Sequence, residues 1–185
     1  MVGNNNNNNT TTKSHVHIIS DTHFHHTNII SYANRPFANT DDMNQTLITN
    51  WNNHVQPNDY VLHLGDFVLG QKANIAVIRQ QLNGNIILVR GNHDYGANAY
   101  RGLERFKYVR NLKFGDIMFT HKPMMVEEMD RLGVVSNFHG HVHGRRVLDN
   151  NDRWFNFSVE VIGYKPFYWG EVEMGEFVEV VRGGK

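Results

Sequence analysis

Five short polar segments, each placed directly after an apolar run, constrain this chain more than any bulk property. In order they are Asp21-Thr22-His23, Gly65-Asp66, Gly91-Asn92-His93-Asp94, His121 and Gly140-His141-Val142-His143. The runs that precede them, residues 15–20, 60–64, 86–89, 117–120 and 134–138, are apolar and rich in β-branched residues, and read as strands. In α/β sheets, groups placed just beyond the carboxyl ends of strands gather into one crevice. Asp, Asn and His are O and N donors suited to divalent ions. One such segment means little, because Asp, Asn and Gly also make turns and His is often a surface residue. Five in succession point to a fold that brings its strand ends to one metal site.

The spacing between the runs gives the organisation. Residues 28–38 read as a loop, broken at Arg35-Pro36. Thr40 is a candidate N-cap, with Asp41 and Asp42 in the first turn, and Met43, Leu47, Ile48 and Trp51 recur at helical spacing, so a helix is expected over 41–54. Ile75, Ile78 and Leu82 place a second helix at 74–82, and Asn83-Gly84-Asn85 is a turn. Strand, helix, strand, helix, strand predicts a parallel sheet. Further on, residues 108–112 and 117–120 flank Phe114-Gly115-Asp116 and predict a hairpin. Residues 147–148 and 154–161 are candidate strands, and 171–181 alternates charged and apolar residues in a way that fits strand or helix. Trp154, Phe155, Phe157, Phe167, Tyr168 and Trp169 are expected to fill the core.

A chain of 185 residues suits one domain. That domain is expected over residues 13–185, because the Asn/Thr-rich residues 1–12 have too little apolar surface to order and read as a disordered tail. No apolar run approaches the length of a membrane span and no secretory leader is visible, so a cytoplasmic protein is expected. There is no Cys, which excludes disulfides and thiolate metal sites. Lys+Arg equals Asp+Glu, which argues against a chain built to grip a nucleic-acid backbone but not against a small phosphate-bearing substrate. The 12 histidines are many for this length, and those at Asp-x-His and Gly-His-x-His spacing fit metal ligation best.

Phosphate esters resist hydrolysis because their anionic oxygens repel a nucleophile. Two divalent ions overcome this by clamping those oxygens and holding a deprotonated water. At least one carboxylate must bridge them, and Asp66, alone after a strand and beside Gly65, suits that place.

The five segments, in this order, resemble the calcineurin-like metallophosphoesterase superfamily. The likeness spans roughly residues 16–165 and is closest to small single-domain bacterial and phage members. It is carried by Ile19-Ser20-Asp21-Thr22-His23-Phe24, Asn34-Arg35-Pro36-Phe37, Leu62-His63-Leu64-Gly65-Asp66-Phe67 and Asn156-Phe157-Ser158-Val159-Glu160. The resemblance implies an α/β fold with a two-sheet β-sandwich flanked by helices, four layers in the order α/β/β/α. It implies Asp21, His23 and His143 on one ion, Asn92, His121 and His141 on the other, and Asp66 on both. It also implies that a hydroxide held between the ions attacks in line while His93 protonates the leaving oxygen. The mixed N/O set suits Mn²⁺ foremost, and also Fe, Zn²⁺, Ni²⁺ or Co²⁺.

Two departures matter. The serine/threonine phosphatases of that superfamily read Gly-Asp-x-x-Asp-Arg-Gly. This chain reads Gly65-Asp66-Phe67-Val68-Leu69-Gly70-Gln71, so Leu69 and Gly70 stand where an Asp and an Arg would serve, and the orienting partner of His93 is open. His25 occupies a place where the small members commonly have Gly, and with His26 it is expected to crowd or extend the pocket. Substrate contacts are expected from His26, Arg35, Asn92 and His93. For His26 the alternative is a plain loop residue, and for Arg35 a loop tie. His15, His17, His54 and His63 read as structural or surface residues, and His139 as a support for a ligand. The leading expectation is therefore a dinuclear phosphoesterase acting on a small ester. A diester or anhydride is favoured over a monoester, for want of a dedicated Arg pair. A catalytically silent scaffold and a nuclease are the alternatives.

Overall fold

The computed structural model describes residues 13–145 and 152–179. Strands β1 (Ser14–Ile19), β2 (Tyr60–His63), β3 (Asn85–Val89) and β4 (Phe106–Val109) run parallel in the spatial order β4-β3-β2-β1. Strand β9 (Phe167–Val172) completes this sheet antiparallel to β1. The second sheet has the order β10-β5-β6-β7-β8. Here β5 (Leu112–Phe114) and β6 (Ile117–Phe119) form a hairpin, β7 (Ser136–His139) and β8 (Trp154–Asn156) continue parallel to β6, and β10 (Val178–Glu179) pairs antiparallel with β5.

The period-two pattern of the strands decides the layers. Val16, Ile18, Leu62, Ile87, Val89 and Val109 meet Leu112, Phe119 and Phe138 between the sheets. Their neighbours Ile19, Val61, Ile86 and Leu88 point the other way, onto Met43, Leu47 and Trp51 of α2 (Thr40–His54) and Ile75 and Ile78 of α3 (Ala73–Gln81). On the outer face of the second sheet, Met118 packs with Met124, Val134 and Met129 of α4 (Val126–Arg131). The result is the expected α/β/β/α order. Among the described residues, no helix is long and apolar enough to cross a membrane.

Several local expectations change. The N-cap of α2 is Asn39, whose side chain accepts from the Asp42 N–H at 2.9 Å, and Thr40 is the first helical residue. Residues 27–32 are not loop but a short helix, α1 (Thr27–Tyr32), too brief to display a period. The run 108–112 is not one strand of a hairpin: Tyr108 and Val109 end β4 in the first sheet, and Leu112 begins β5 in the second. Val109 and Leu112 both enter the inter-sheet core, so the crossing between sheets hides inside one apolar run. Only Trp154–Asn156 of 154–161 is strand, since Val159–Ile162 forms α5. The stretch from 171 ends β9, turns at Met174–Glu176 and makes β10, while 180–181, the candidate strand 147–148 and the tail 1–12 lie outside the described residues. Of the six aromatics expected in the core, Phe157 is buried and Trp154 and Trp169 are half-buried, but Phe155, Phe167 and Tyr168 are exposed.

Candidate metal centre

Parallel pairing in register, Ile19 opposite His63, brings the loops after β1 and β2 side by side. They are laced together by N–H donors of Asp21, His23 and Phe24 to the carbonyls of Gly65, Asp66 and Phe67, each at 3.0 Å. Thr22 Oγ donates to the Phe67 carbonyl at 2.8 Å and lies 2.9 Å from Nε2 of buried His63. The loops after β6 and β7 are joined by the Gly140 N–H and the His121 carbonyl at 3.0 Å. Ser20 bridges to Ser158, so the rims of the two sheets meet at this point. Close approach here demands glycine three times: a Cβ at Gly65 would collide with His121 Nδ1 and the Gly91 backbone, one at Gly91 with the Asp66 carboxylate, and one at Gly140 with Ser20 Oγ and the Asp21 carboxylate.

Two groups that can each hold a divalent ion result, Asp21 with His23 and His143, and Asp66 with His121 and His141. In the second, Nε2 of His121 lies 3.3 Å from Asp66 Oδ2, 2.9 Å from Asn92 Oδ1 and 3.2 Å from His141 Nδ1. Asp66 Oδ2 is also 3.5 Å from Nε2 of His23, which in turn is 4.0 Å from Asp21 Oδ1. One oxygen of Asp66 thus stands between both groups, while Oδ1 accepts the His93 backbone N–H at 2.8 Å. Ligand atoms about 2.0–2.2 Å from a common ion lie at such mutual spacings. Nε2 of His23 is buried and has no hydrogen-bond partner among the described residues, an orphan that a cation would satisfy. The donor chemistry and the geometry both fit divalent metal.

Burial holds His23 down to about 2 and His141 to about 4, so both present neutral nitrogens. For Asp66 burial acts upward, but it is outweighed by His121 and His23 and by the His93 N–H, and the carboxyl titrates well below its ordinary range. Five of these side chains hang from left-handed backbone: φ is +58° at Asp21, +49° at His23, +57° at Asp66, +70° at His141 and +50° at His143. Non-glycine residues in that region are under strain, and such strain clusters at functional sites.

The residues beneath the rim include some that sequence reasoning missed. Asp94 does not orient the His93 ring. Its carboxylate instead accepts the N–H groups of Gly91 at 2.7 Å, Asp66 at 2.9 Å and Phe67 at 2.9 Å, and the Tyr100 hydroxyl at 3.2 Å, so it fastens the β2 loop to the β3 loop. Asp94→Ala is expected to leave three buried N–H groups unpaired and to cost about 3 kcal/mol or more, against about 1 kcal/mol for Tyr100→Phe. Thermal unfolding of the two variants checks this, and equal melting points would contradict it. Ser158 Oγ donates to Asp21 at 3.0 Å, and Glu160 Oε1 accepts Nδ1 of His143 at 2.9 Å. A carboxylate shortly after Asn156-Phe157-Ser158 is visible in the sequence, but nothing local says which histidine it serves.

Arg35 departs from the expected substrate contact. Its side chain is fully buried beneath the loop, donating to the carbonyls of Asp21 at 2.6 Å and Thr22 at 2.9 Å and to Glu160 at 2.7–2.8 Å. Nor is His25 in the pocket: at φ +63° its backbone and ring both meet the side-chain amide of Asn44. His26 does face the cleft, with Nδ1 3.3 Å from Nδ1 of His23. His139 meets the Gly140 carbonyl rather than a candidate ligand side chain. His17 is buried against Asp59, and His15 is half exposed beside it.

Three members of the two candidate groups, His23, His141 and His143, open onto a cleft of about 640 Å³. His23, His93, His141 and His143 line its base, Ile29 and Tyr32 of α1 with Ala33 just beyond it form one wall, and Leu69, Val142 and Arg145 add to the lining. His93 is exposed there, its ring edge-on to His23 at 5.5 Å.

A two-sheet α/β/β/α fold whose strand ends carry paired Asp/His groups beside an open cleft defines a metal-dependent phosphoesterase, a hydrolase. The chain belongs to the calcineurin-like phosphoesterase family, which it matches over residues 14–183. It is 40% identical over 177 residues to the uncharacterized protein MJ1445 of Methanocaldococcus jannaschii, covering 92% of this chain and 93% of that one. Its fold is similar to that of AQ665 of Aquifex aeolicus, a protein of unknown function. There the TM-score is 0.65 at 27% identity, over 83% of this chain and 95% of that one.

Proposed function

We propose that this protein hydrolyses a small phosphodiester or phosphoanhydride with two divalent ions, Mn²⁺ foremost. Asp21, His23 and His143 hold one ion, Asn92, His121 and His141 the other, and Asp66 both. The observation that carries this reading is the place of Asp66 Oδ2, 3.5 Å from Nε2 of His23 and 3.3 Å from Nε2 of His121. When bound, the ions supply charge neutralisation at the phosphoryl oxygens and an acidified water as nucleophile. The chain's own part is positional. Asp66 Oδ1 fixes the His93 backbone at 2.8 Å, which keeps the imidazole over the cleft floor. From there His93 delivers a proton to the departing oxygen. His26, behind His23, steadies that ligand and offers its free edge to the substrate.

The cleft supports a diester over a dianionic monoester. Among the described residues no carboxylate lines it and one arginine, Arg145, does; Arg35 is committed beneath the floor. The apolar wall of Ile29, Tyr32 and Ala33 has room for an ester substituent.

The test compares bis-p-nitrophenyl phosphate with p-nitrophenyl phosphate, using chelated protein before and after Mn²⁺ is restored. Diester turnover that vanishes on chelation, returns with Mn²⁺ and exceeds monoester turnover is expected. Silence toward both esters, with two ions demonstrably bound, would sink the reading.

A further inference from the structure

We propose that the buried Arg35–Glu160 pair positions the ligands of one ion only, so that Glu160 governs occupancy of the Asp21–His23–His143 site and leaves the Asp66–His121–His141 site untouched. This rests on the two-ion reading above.

The three side chains of the first group come from two distant stretches, the loop after β1 and the loop after β7. One ion pair reaches both. Arg35 donates to the carbonyls of Asp21 and Thr22, and so holds the loop from which Asp21 and His23 project. Glu160, on α5, accepts from Arg35 and from Nδ1 of His143 through the same oxygen, Oε1. With Nδ1 committed as donor, His143 keeps the lone pair of Nε2 for a cation, and the carboxylate makes that nitrogen a better donor. The side chain of His143 is 24% exposed, against 2% for His23 and 0% for Asp21, so packing restrains it least and the Glu160 contact does more of the restraining.

The second group is held by other means. Nδ1 of His121 meets the Leu64 carbonyl at 2.9 Å, and the Asp66 backbone N–H is fixed by Asp94. His141 is anchored by its backbone N–H to the Asp21 carboxylate at 2.9 Å. Arg35 and Glu160 make none of these contacts themselves; the one link to the loop they hold is the His141 N–H to the Asp21 carboxylate, while His121 and Asp66 are fixed without it. Glu160 Oε2, moreover, is buried without a partner among the described residues, an arrangement that packing alone would not favour and that fits a carboxylate retained for what Oε1 does.

Glu160→Gln keeps shape and an acceptor for Arg35 while removing the charge. Metal-free wild type and variant would be titrated with Mn²⁺, counting bound ions by equilibrium dialysis and reading spin coupling by electron paramagnetic resonance. Wild type is expected to hold two coupled ions. Glu160→Gln is expected to hold one with wild-type affinity and the other about 10–100-fold more weakly, with an uncoupled signal at low Mn²⁺. Adding Asn92→Ala, which removes a ligand from the other set, is expected to leave neither ion tightly held. Should charge imbalance unfold the single variant, Arg35→Met with Glu160→Gln removes both buried charges and is expected to give the same selective loss. Two ions bound as in wild type, or both weakened equally, would overturn the proposal. Fewer than two ions on wild type would instead overturn the two-ion reading beneath it.

Discussion

Asp66→Asn is expected to abolish phosphoester turnover and to loosen both ions. Among the described residues this carboxylate lies within 3.5 Å of a histidine ring nitrogen from each set, and its other oxygen anchors the backbone of His93. An amide in its place keeps the volume but not the charge, and one of its two ends is a donor. Whichever way it turns, an NH₂ faces either the imidazole nitrogens or the His93 N–H. Changing a residue that only supports a ligand costs about 10–100-fold. Losing the shared one should cost at least about 10³-fold in kcat/KM, roughly 4 kcal/mol of barrier. Metal analysis and steady-state kinetics on one preparation check both halves of the prediction. Full activity would end the shared-ligand reading.

His93→Gln makes the opposite pairing of results. Metal content is expected to stay at the wild-type level, because the His93 ring lies outside both candidate groups, while kcat falls by about 10²–10⁴-fold. The loss depends on the leaving group. p-Nitrophenolate departs with little help, so an acid matters least for it. An alkoxide needs its proton, so an alkyl diester should suffer far more. Kinetics on both esters separate an acid from a binding residue: equal losses, or loss of metal, would remove His93 from that role.

What the sequence displays of this site is its vocabulary. Asp21, His23, Asp66, Asn92, His121, His141 and His143 stand out because each closes an apolar run, and the parallel order of the first three strands follows from the helices between them. The left-handed backbone that aims five of them has no such signature, since Asp and His carry no φ preference strong enough to read. Asp94 and Arg35 are harder still. Both are charged residues beside motifs, and sequence alone assigns such residues to chemistry. The fold buries both and spends them on backbone N–H and carbonyl groups. The sheet crossing at 110–111 escapes notice for a different reason: Val109 and Leu112 share the same core, so apolarity does not register the change of partner.

The left-handed backbone of the five candidate ligands also bears on how this site would decay. Strain of order 1 kcal/mol or more attends each such residue, and glycine would relieve it. Glycine at one of these positions would relieve that strain, but at His23 it would leave a cavity and at His143 it would remove the bond to Glu160, so the strain is held in place by the packing around it. A chain freed from catalysis would no longer need a metal-binding side chain at any of these left-handed positions. All five strained positions still carry the residue that costs stability, which is the state expected of a working enzyme and not of a retired one.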